Sequence, residues 1–219
     1  MAKPNNTATL SRFIKQRAAE LGFFYTGIAR AEALPEDARR LEKWLQQGMH
    51  GSMHYMERYF EQRTDPRKLV PGARSVVTLL MNYFPNNTQT DTTYRFSKYA
   101  YGRDYHDVIR EKLKTLLAML KEQAGDINGR GFVDSAPVLE RTWAQRSGLG
   151  WVGRNGNLIN KKSGSFFFIA TLVTDLELAC DLPLQQNYCG TCNRCVEACP
   201  TNAILPGNIV NGSKCISYY

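Results

Sequence analysis

All six cysteines of the 219-residue chain lie in its last fifth. They are Cys180, Cys189, Cys192, Cys195, Cys199 and Cys215. From Cys189 onward four of them follow the spacing C-x₂-C-x₂-C-x₃-C-P, which is the ligand run of bacterial ferredoxins. Zinc sites typically use separated C-x₂-C pairs. The spacing therefore favours a 4Fe–4S cluster over zinc.

The ligand count leaves this metal module incomplete. Cys189, Cys192 and Cys195 lie on a tight loop that can wrap one cluster, and they need one further ligand. We expect Cys199 on the short helix that follows, directed at a second cluster for which Cys215 is one further ligand. No second cysteine run follows in the sequence. We therefore expect a piece of a longer protein, cut inside this module; the alternative is a chain with incomplete clusters.

The absence of cysteine before Cys180 predicts a large domain over residues 1–178 and a small iron–sulfur domain over 179–219. Cys180 itself, nine residues before the run, is predicted to be a small buried apolar side chain.

Hydrophobic residues make up 43% of the chain, enough for a core. No apolar run reaches the roughly 18 residues of a membrane span. Residues 1–6 lack the apolar segment of a secretory signal, so we expect a cytoplasmic protein.

The formal net charge is +8. Such an excess of basic residues favours a polyanionic partner, nucleic acid before membrane, and is equally consistent with an aid to solubility alone.

Hydrophobic periodicity predicts mixed secondary structure around these cysteines. Helices are expected at residues 10–21, 35–48, 53–59 and 108–120, and after Ser135 as an N-cap. Strands are expected at residues 23–29, 75–83, 131–134 and 166–174, with that at 75–83 covered on both faces. A polar loop is expected at 85–94 and a glycine-rich loop at 148–156. This order predicts an α/β or α+β fold class.

Several sequence motifs together resemble the epoxyqueuosine reductases, which complete queuosine synthesis in tRNA. They are residues 63–66 (RTDP), 69–76 (LVPGARSV), 101–106 (YGRDYH), 133–141 (VDSAPVLER), 146–155 (RSGLGWVGRN) and 215–218 (CISY). The resemblance covers nearly the whole chain. The cysteine run alone is shared by many redox proteins, whereas its combination with the upstream motifs is much more specific.

The resemblance implies a nitroreductase-like domain that holds cobalamin, followed by a ferredoxin-like domain with two 4Fe–4S clusters in the complete protein. It implies reduction of epoxyqueuosine to queuosine at the wobble position of tRNA. Electrons would come from an unidentified donor and pass through the clusters to cobalamin. We expect a monomer with no membrane association. The alternatives are a corrinoid-dependent, dehalogenase-like reductase of a small molecule, and a ferredoxin-type electron carrier.

The resemblance also assigns site residues. Asp134 matches the family's catalytic acid and a cofactor-binding position; to stay protonated near neutral pH it would need burial. Arg63, Asn157, Leu158 and Ile169 match cobalamin-binding positions. The simpler alternatives are a helix N-terminal role for Asp134, a solvated loop charge for Arg63, and ordinary core packing for Leu158 and Ile169.

Two further features have weaker functional interpretations. Asp104, His106 and Ile109 resemble the D-x-H-x-x-G signature of corrinoid proteins without its glycine, so we expect His106 to be structural or to face substrate. The chain has three histidines, which argues against a multi-histidine metal site. The glycines of residues 148–156 could leave room for a flat macrocycle. A helix before this loop and a strand after it exclude a Rossmann turn.

Overall fold

The computed structural model describes residues 7–87, 89–90 and 93–218. Its helices are α1 Thr7–Glu20, α2 Pro35–Gln46, α3 Phe60–Thr64, α4 Tyr105–Ala124, α5 Glu140–Arg146 and α6 Arg194–Glu197. Its strands are β1 Tyr25–Arg30, β2 Ser75–Asn82, β3 Gly129–Phe132, β4 Trp151–Val152, β5 Leu158–Ile159, β6 Phe167–Thr174, β7 Ile204–Leu205 and β8 Ile209–Val210. The mixed α/β class expected from the sequence is confirmed.

A four-stranded antiparallel sheet in the order β1-β2-β6-β3 forms the centre of the fold. The register pairs Tyr25 with Leu80 between β1 and β2, and Leu80 with Ile169 between β2 and β6. The first six residues of β2 are all buried, which confirms the prediction of a strand covered on both faces.

Successive residues of β2 face opposite layers, because side chains alternate along a strand. Val77 and Leu79 pack with the apolar stripes of α1 and α4 in the larger core. Val76 packs on the other face with Trp143 of α5, in a second apolar cluster. Close packing of α5 requires Gly27 on β1, since a Cβ there would lie 2.3 Å from the Ser147 carbonyl oxygen.

Two short hairpins, β4–β5 and β7–β8, lie outside the main sheet. The segment after β8 is held against the end of α2 and the loop that follows it. The Trp44 indole N–H donates to the Val210 carbonyl oxygen at 2.8 Å. The Ser213 backbone N–H donates to the Met49 carbonyl oxygen at 3.1 Å. The Tyr218 hydroxyl lies 2.9 Å from the Ser52 hydroxyl. Residues on both sides of Cys215 thus contact the segment of residues 44–52.

Most predicted elements are confirmed within one to four residues at their ends, but two helices are wrong. The region 53–59 forms a 3₁₀ turn, His54–Met56, before α3 begins. The helix expected from Ser135 starts only at Glu140, with Leu139 as N-cap. Pro137 disfavours helical backbone at the preceding residue, and tight turns therefore occupy the interval.

Two predictions about the cysteine region are also wrong. Cys180 is exposed, not a buried apolar residue. Helix α6 carries Cys195, and Cys199 lies two residues beyond its end.

In the described part of the chain, no helix has the length and hydropathy needed to cross a bilayer.

Candidate functional site

Asp134 lies in the turn after β3, and it has an uncommon backbone conformation. Its φ of 48° is in the left-handed region, which most non-glycine residues avoid. The Asp134 carboxylate accepts a hydrogen bond from the Tyr105 hydroxyl. The same carboxylate oxygen lies 3.7 Å from Nε2 of His106. The predicted catalytic aspartate is thus the centre of a polar cluster built from the β3–α5 turn and the start of α4.

Tyr105 is fixed in this cluster by its aromatic neighbours. Its ring stacks on Phe168 of β6 at 3.9 Å between centroids and 5° between planes. On its other side it stacks on His106 at 4.0 Å. Burial, followed by hydrogen bonding to Asp134, raises the pKa of the Tyr105 hydroxyl well above its ordinary value, so this group stays a donor.

Glu140, the first residue of α5, is the member of the cluster that the sequence did not predict. Its Oε1 accepts a hydrogen bond from the Asp134 backbone N–H at 3.2 Å. Burial, reinforced by the negative charge of Asp134, raises the pKa of Glu140 to about 8. The Asp134 side chain is itself 51% exposed, so the burial expected for it is not found. The carboxyl with the raised pKa is instead that of Glu140, which contacts the Asp134 backbone N–H.

His106, which we expected to be structural or to face substrate, is held by contacts on both of its ring nitrogens. Its Nδ1 lies 2.8 Å from Oδ1 of Asp104, the N-cap of α4, and its Nε2 is turned toward Asp134. Asp104 also accepts the His106 backbone N–H at 2.8 Å. The imidazole is therefore held between two carboxylates.

An open cavity of about 220 Å³ adjoins the cluster through Tyr105. Its lining includes Tyr83, Tyr99, Tyr101, Phe168 and the guanidinium-bearing Arg103. Aromatic faces with a cation at one side suit a flat ring system attached to an anionic group.

Arg63 carries an unpaired donor that suits a bound ligand. Its Nη2 donates to the Tyr55 carbonyl oxygen at 3.3 Å, whereas its Nε is buried without a hydrogen-bond partner among the described residues. Burial lowers the pKa of this guanidinium from its ordinary value. An unsatisfied buried donor is costly, and a cofactor carrying amide or phosphate oxygens would satisfy it. The Arg63 side chain therefore fits a cobalamin contact better than a solvated loop charge.

The other three predicted cobalamin positions lie in or beside the β4–β5 hairpin and β6. Leu158 is 3% exposed and belongs to a small apolar cluster, against which Ile169 packs. Core packing is therefore confirmed for Leu158 and holds in part for Ile169. Asn157 is exposed, and its backbone N–H donates to Oδ1 of Asn155 at 3.2 Å.

The glycine-rich loop contains β4 and folds back on β5. A Cβ at Gly150 would lie 2.4 Å from the Ile159 carbonyl oxygen. The close approach of the two hairpin strands thus explains why position 150 is a glycine. Room for a bound macrocycle is not needed to explain it.

The cysteine run is exposed to partly buried, and its thiols are free. The Cys199 sulfur accepts a hydrogen bond from the Ala203 backbone N–H at 3.3 Å. Backbone donors at Thr201 and Ala203 lower the pKa of the Cys199 thiol to about 7. Because the thiolate is the form that binds metal, this donor set fits an iron–sulfur cluster.

Away from Asp134, His50 and His54 lie close to the carboxylate of Glu57. Glu57 Oε1 lies 2.6 Å from Nε2 of His50 and 3.5 Å from Nδ1 of His54. Hydrogen bonds from both imidazoles lower the pKa of Glu57. The ring nitrogens and carboxylate are ligand types that zinc accepts. The sequence, with three histidines in all, had argued against a site with several histidines.

Comparison with protein families gives two matches. The family model described as "Epoxyqueuosine reductase QueG, DUF1730" matches residues 63–135, which include Arg63, the Tyr105 region and Asp134. The model "4Fe-4S binding domain" matches residues 183–205, which hold the cysteine run from Cys189 to Cys199.

Curated relatives are similar over most of this chain. The epoxyqueuosine reductase of Cyclobacterium marinum is 55% identical over 210 residues, which are 95% of this chain and 68% of the relative. That of Leadbetterella byssophila is 56% identical over 208 residues, with the same coverage of both chains. The Escherichia coli K12 enzyme is 40% identical over 224 residues, and 59% of it is covered.

Solved structures give the same family. The epoxyqueuosine reductase of Streptococcus thermophilus superposes with a TM-score of 0.87 at 26% identity, covering 94% of this chain and 56% of that one. An epoxyqueuosine reductase with an epoxyqueuosine-modified tRNA-Tyr stem loop gives 0.89 at 29% identity, covering 97% and 57%. A reductive dehalogenase gives 0.55 at 17% identity, covering 85% and 22%, and so shares the fold alone.

Proposed function

Because this chain belongs to the epoxyqueuosine reductase family, we propose that it reduces epoxyqueuosine to queuosine at the wobble position of tRNA. The observation that carries this proposal is the polar cluster around Asp134, at the end of the family-matched segment. A related reductase binds an epoxyqueuosine-modified tRNA stem loop, which supports tRNA as the substrate class. The net charge of +8 suits this polyanionic partner.

Removal of the epoxide oxygen as water consumes two electrons and two protons. We assign one proton delivery to the Asp134 carboxyl, which is exposed and so can reach the oxygen of a bound substrate. The Tyr105 hydroxyl and the His106 ring orient this carboxyl. Glu140, protonated near neutral pH, accepts the Asp134 backbone N–H and so holds the turn that carries this carboxyl.

Two cofactors are part of the proposal. Cys189, Cys192, Cys195, Cys199 and Cys215 would hold 4Fe–4S clusters, two in the complete protein, within a domain of residues 179–219. Arg63, Asp134, Asn157, Leu158 and Ile169 would contact cobalamin within a domain of residues 1–178. When bound, cobalamin supplies a strongly nucleophilic reduced cobalt. Among these contacts the Arg63 guanidinium has the clearest support, since its Nε lacks a partner among the described residues.

The direct test is queuosine formation. The protein, reconstituted with iron, sulfide and cobalamin, is incubated with epoxyqueuosine-containing tRNA and titanium(III) citrate as reductant. Nucleosides from the digested tRNA are then separated and identified by mass spectrometry. We expect epoxyqueuosine to be replaced by queuosine, and no conversion with both cofactors loaded contradicts the proposal.

Binding of tRNA gives a second, independent readout. Affinity should fall steeply between 50 and 200 mM salt, because phosphate contacts release counterions. Salt-insensitive binding, or none, would instead favour a small-molecule substrate.

A further inference from the structure

The β4–β5 hairpin contacts the cysteine loop through two side chains. The indole N–H of Trp151 donates a hydrogen bond to Sγ of Cys189 at 3.4 Å. The Arg154 guanidinium donates to Oδ1 of Asn193 and to the Gly190 carbonyl oxygen, both at 2.7 Å. The hairpin that contains Leu158 is thus joined to the first ligand of the cysteine run and to the backbone beside it.

The Trp151 indole is well fixed in this position. Trp151 is buried, with 8% of its surface exposed. The ring of Tyr188, the residue before Cys189, packs on it at 5.1 Å between centroids. Arg154 fixes the same loop through Gly190 and Asn193. Since the Trp151 indole and the loop of Cys189 are both held in place, the N–H group stays directed at the Cys189 sulfur.

We propose that Trp151 sets the reduction potential of the cluster held by Cys189, by donating its indole N–H to the ligating thiolate. This role rests on the proposed assignment of Cys189 as a cluster ligand. Reduction of the cluster from the 2+ to the 1+ state adds one electron, part of whose charge resides on the thiolate sulfurs. A hydrogen bond to sulfur stabilises that added charge, and so raises the potential. Trp151 thereby makes the cluster easier to reduce.

The chain offers a matched control for this contact. Trp44 also donates its indole N–H across the boundary between the two proposed domains, but its acceptor is the backbone carbonyl of Val210. Replacing Trp44 by Phe removes an indole N–H of the same kind without touching a thiolate. Both substitutions keep an aromatic ring, so they differ mainly in whether a sulfur loses its donor.

The experiment is a potentiometric titration of the protein reconstituted with iron and sulfide, with dithionite and redox mediators, followed by EPR of the reduced cluster. We expect Trp151→Phe to bind as much iron as the wild type and to have a lower midpoint potential. Trp44→Phe should leave the midpoint potential unchanged. An unchanged midpoint in Trp151→Phe with full iron content overturns the proposal.

A second measurement decides the matter if Trp151→Phe loses iron. Pulsed EPR of the reduced wild-type cluster in D₂O and in H₂O should show an exchangeable proton coupled to the cluster. Site-specific replacement of Trp151 by 3-benzothienylalanine, which has sulfur in place of the N–H, should remove that coupling. Persistence of the coupling contradicts the proposal. Neither titration nor EPR requires tRNA or cobalamin, so failure of queuosine formation is scored separately.

Discussion

The backbone N–H of Asp134 donates a hydrogen bond to the carboxyl oxygen of Glu140 at 3.2 Å. This bond closes the turn between β3 and α5 and brings an exposed carboxyl next to a partly buried one. In the proposed reaction, the different surroundings of these two acids would give them separate roles, with Asp134 meeting the substrate and Glu140 keeping its proton. The four predictions below concern this pair, the Tyr105 hydroxyl that donates to Asp134, and Arg63.

Glu140→Gln should alter the dependence of stability on pH. Burial raises the pKa of Glu140 from an ordinary value of 4.5 to about 8, so the native state binds this proton more tightly than the unfolded state. Stability should therefore fall as the pH rises from about 4.5 to about 8, and level off above. Urea unfolding at pH 5, 7 and 9 should show a smaller decline in Glu140→Gln. The exposed Glu122 on α4 is the control, and a decline that Glu122→Gln reduces equally would contradict the assignment.

Asp134→Asn should abolish most turnover while the cofactors still bind. A positioned general acid contributes about 100- to 10,000-fold, and the amide cannot supply the proton. Single-turnover assays of queuosine formation measure the loss, and absorbance spectra measure corrinoid and cluster content. Asp107→Asn is the matched control, since Asp107 is exposed on α4 and pairs only with Arg110 among the described residues. Near-normal turnover in Asp134→Asn would remove its acid role.

Tyr105→Phe should keep the fold and slow the reaction. The ring stacked on Phe168 remains, while the hydrogen bond to Asp134 is lost. A hydrogen bond between uncharged groups is worth about 0.5–1.5 kcal/mol, which corresponds to about 2- to 10-fold in rate. If the hydroxyl acts through Asp134, the double variant with Asp134→Asn should be no slower than Asp134→Asn alone. Additive losses would show that Tyr105 acts independently.

Arg63→Lys should weaken cobalamin binding by about tenfold or more, because lysine keeps the charge but has no Nε donor. Absorbance titration with cobalamin gives the dissociation constant. Arg67→Lys is the control, since Arg67 lies nearby in sequence with its guanidinium paired to Asp65. Equal affinities for the wild type and Arg63→Lys would return Arg63 to a purely structural role.

The sheet and the helices α1 and α4 were predictable because their apolar periodicity coincides with burial. Five of the eight residues of β2 are apolar, and Pro35 marks the first position of α2. Burial on both faces of β2 follows from its position in the centre of the sheet.

The site was predictable only in part. Asp134 was named through the resemblance, whereas Glu140 was missed because its role depends on a turn that places it against a backbone N–H. The convergence of His50 and His54 depends similarly on a 3₁₀ turn whose spacing looked helical. Trp151 was read as part of a glycine-rich loop, and its partner sulfur is 38 residues further along the chain. Such contacts between distant segments leave no periodic signal in the sequence.

The cysteine-bearing segment is attached at both of its ends to residues earlier in the chain. Trp151 and Arg154 hold the beginning of the run, while Trp44, Met49 and Ser52 hold the residues around Cys215. These attachments use indole, guanidinium, hydroxyl and backbone groups that need no iron. If the proposed cluster binds here, its loss to oxygen should therefore leave the thiols close to where they lie now, so that iron and sulfide can rebuild it. Oxidative damage at this centre is expected to be repairable without refolding.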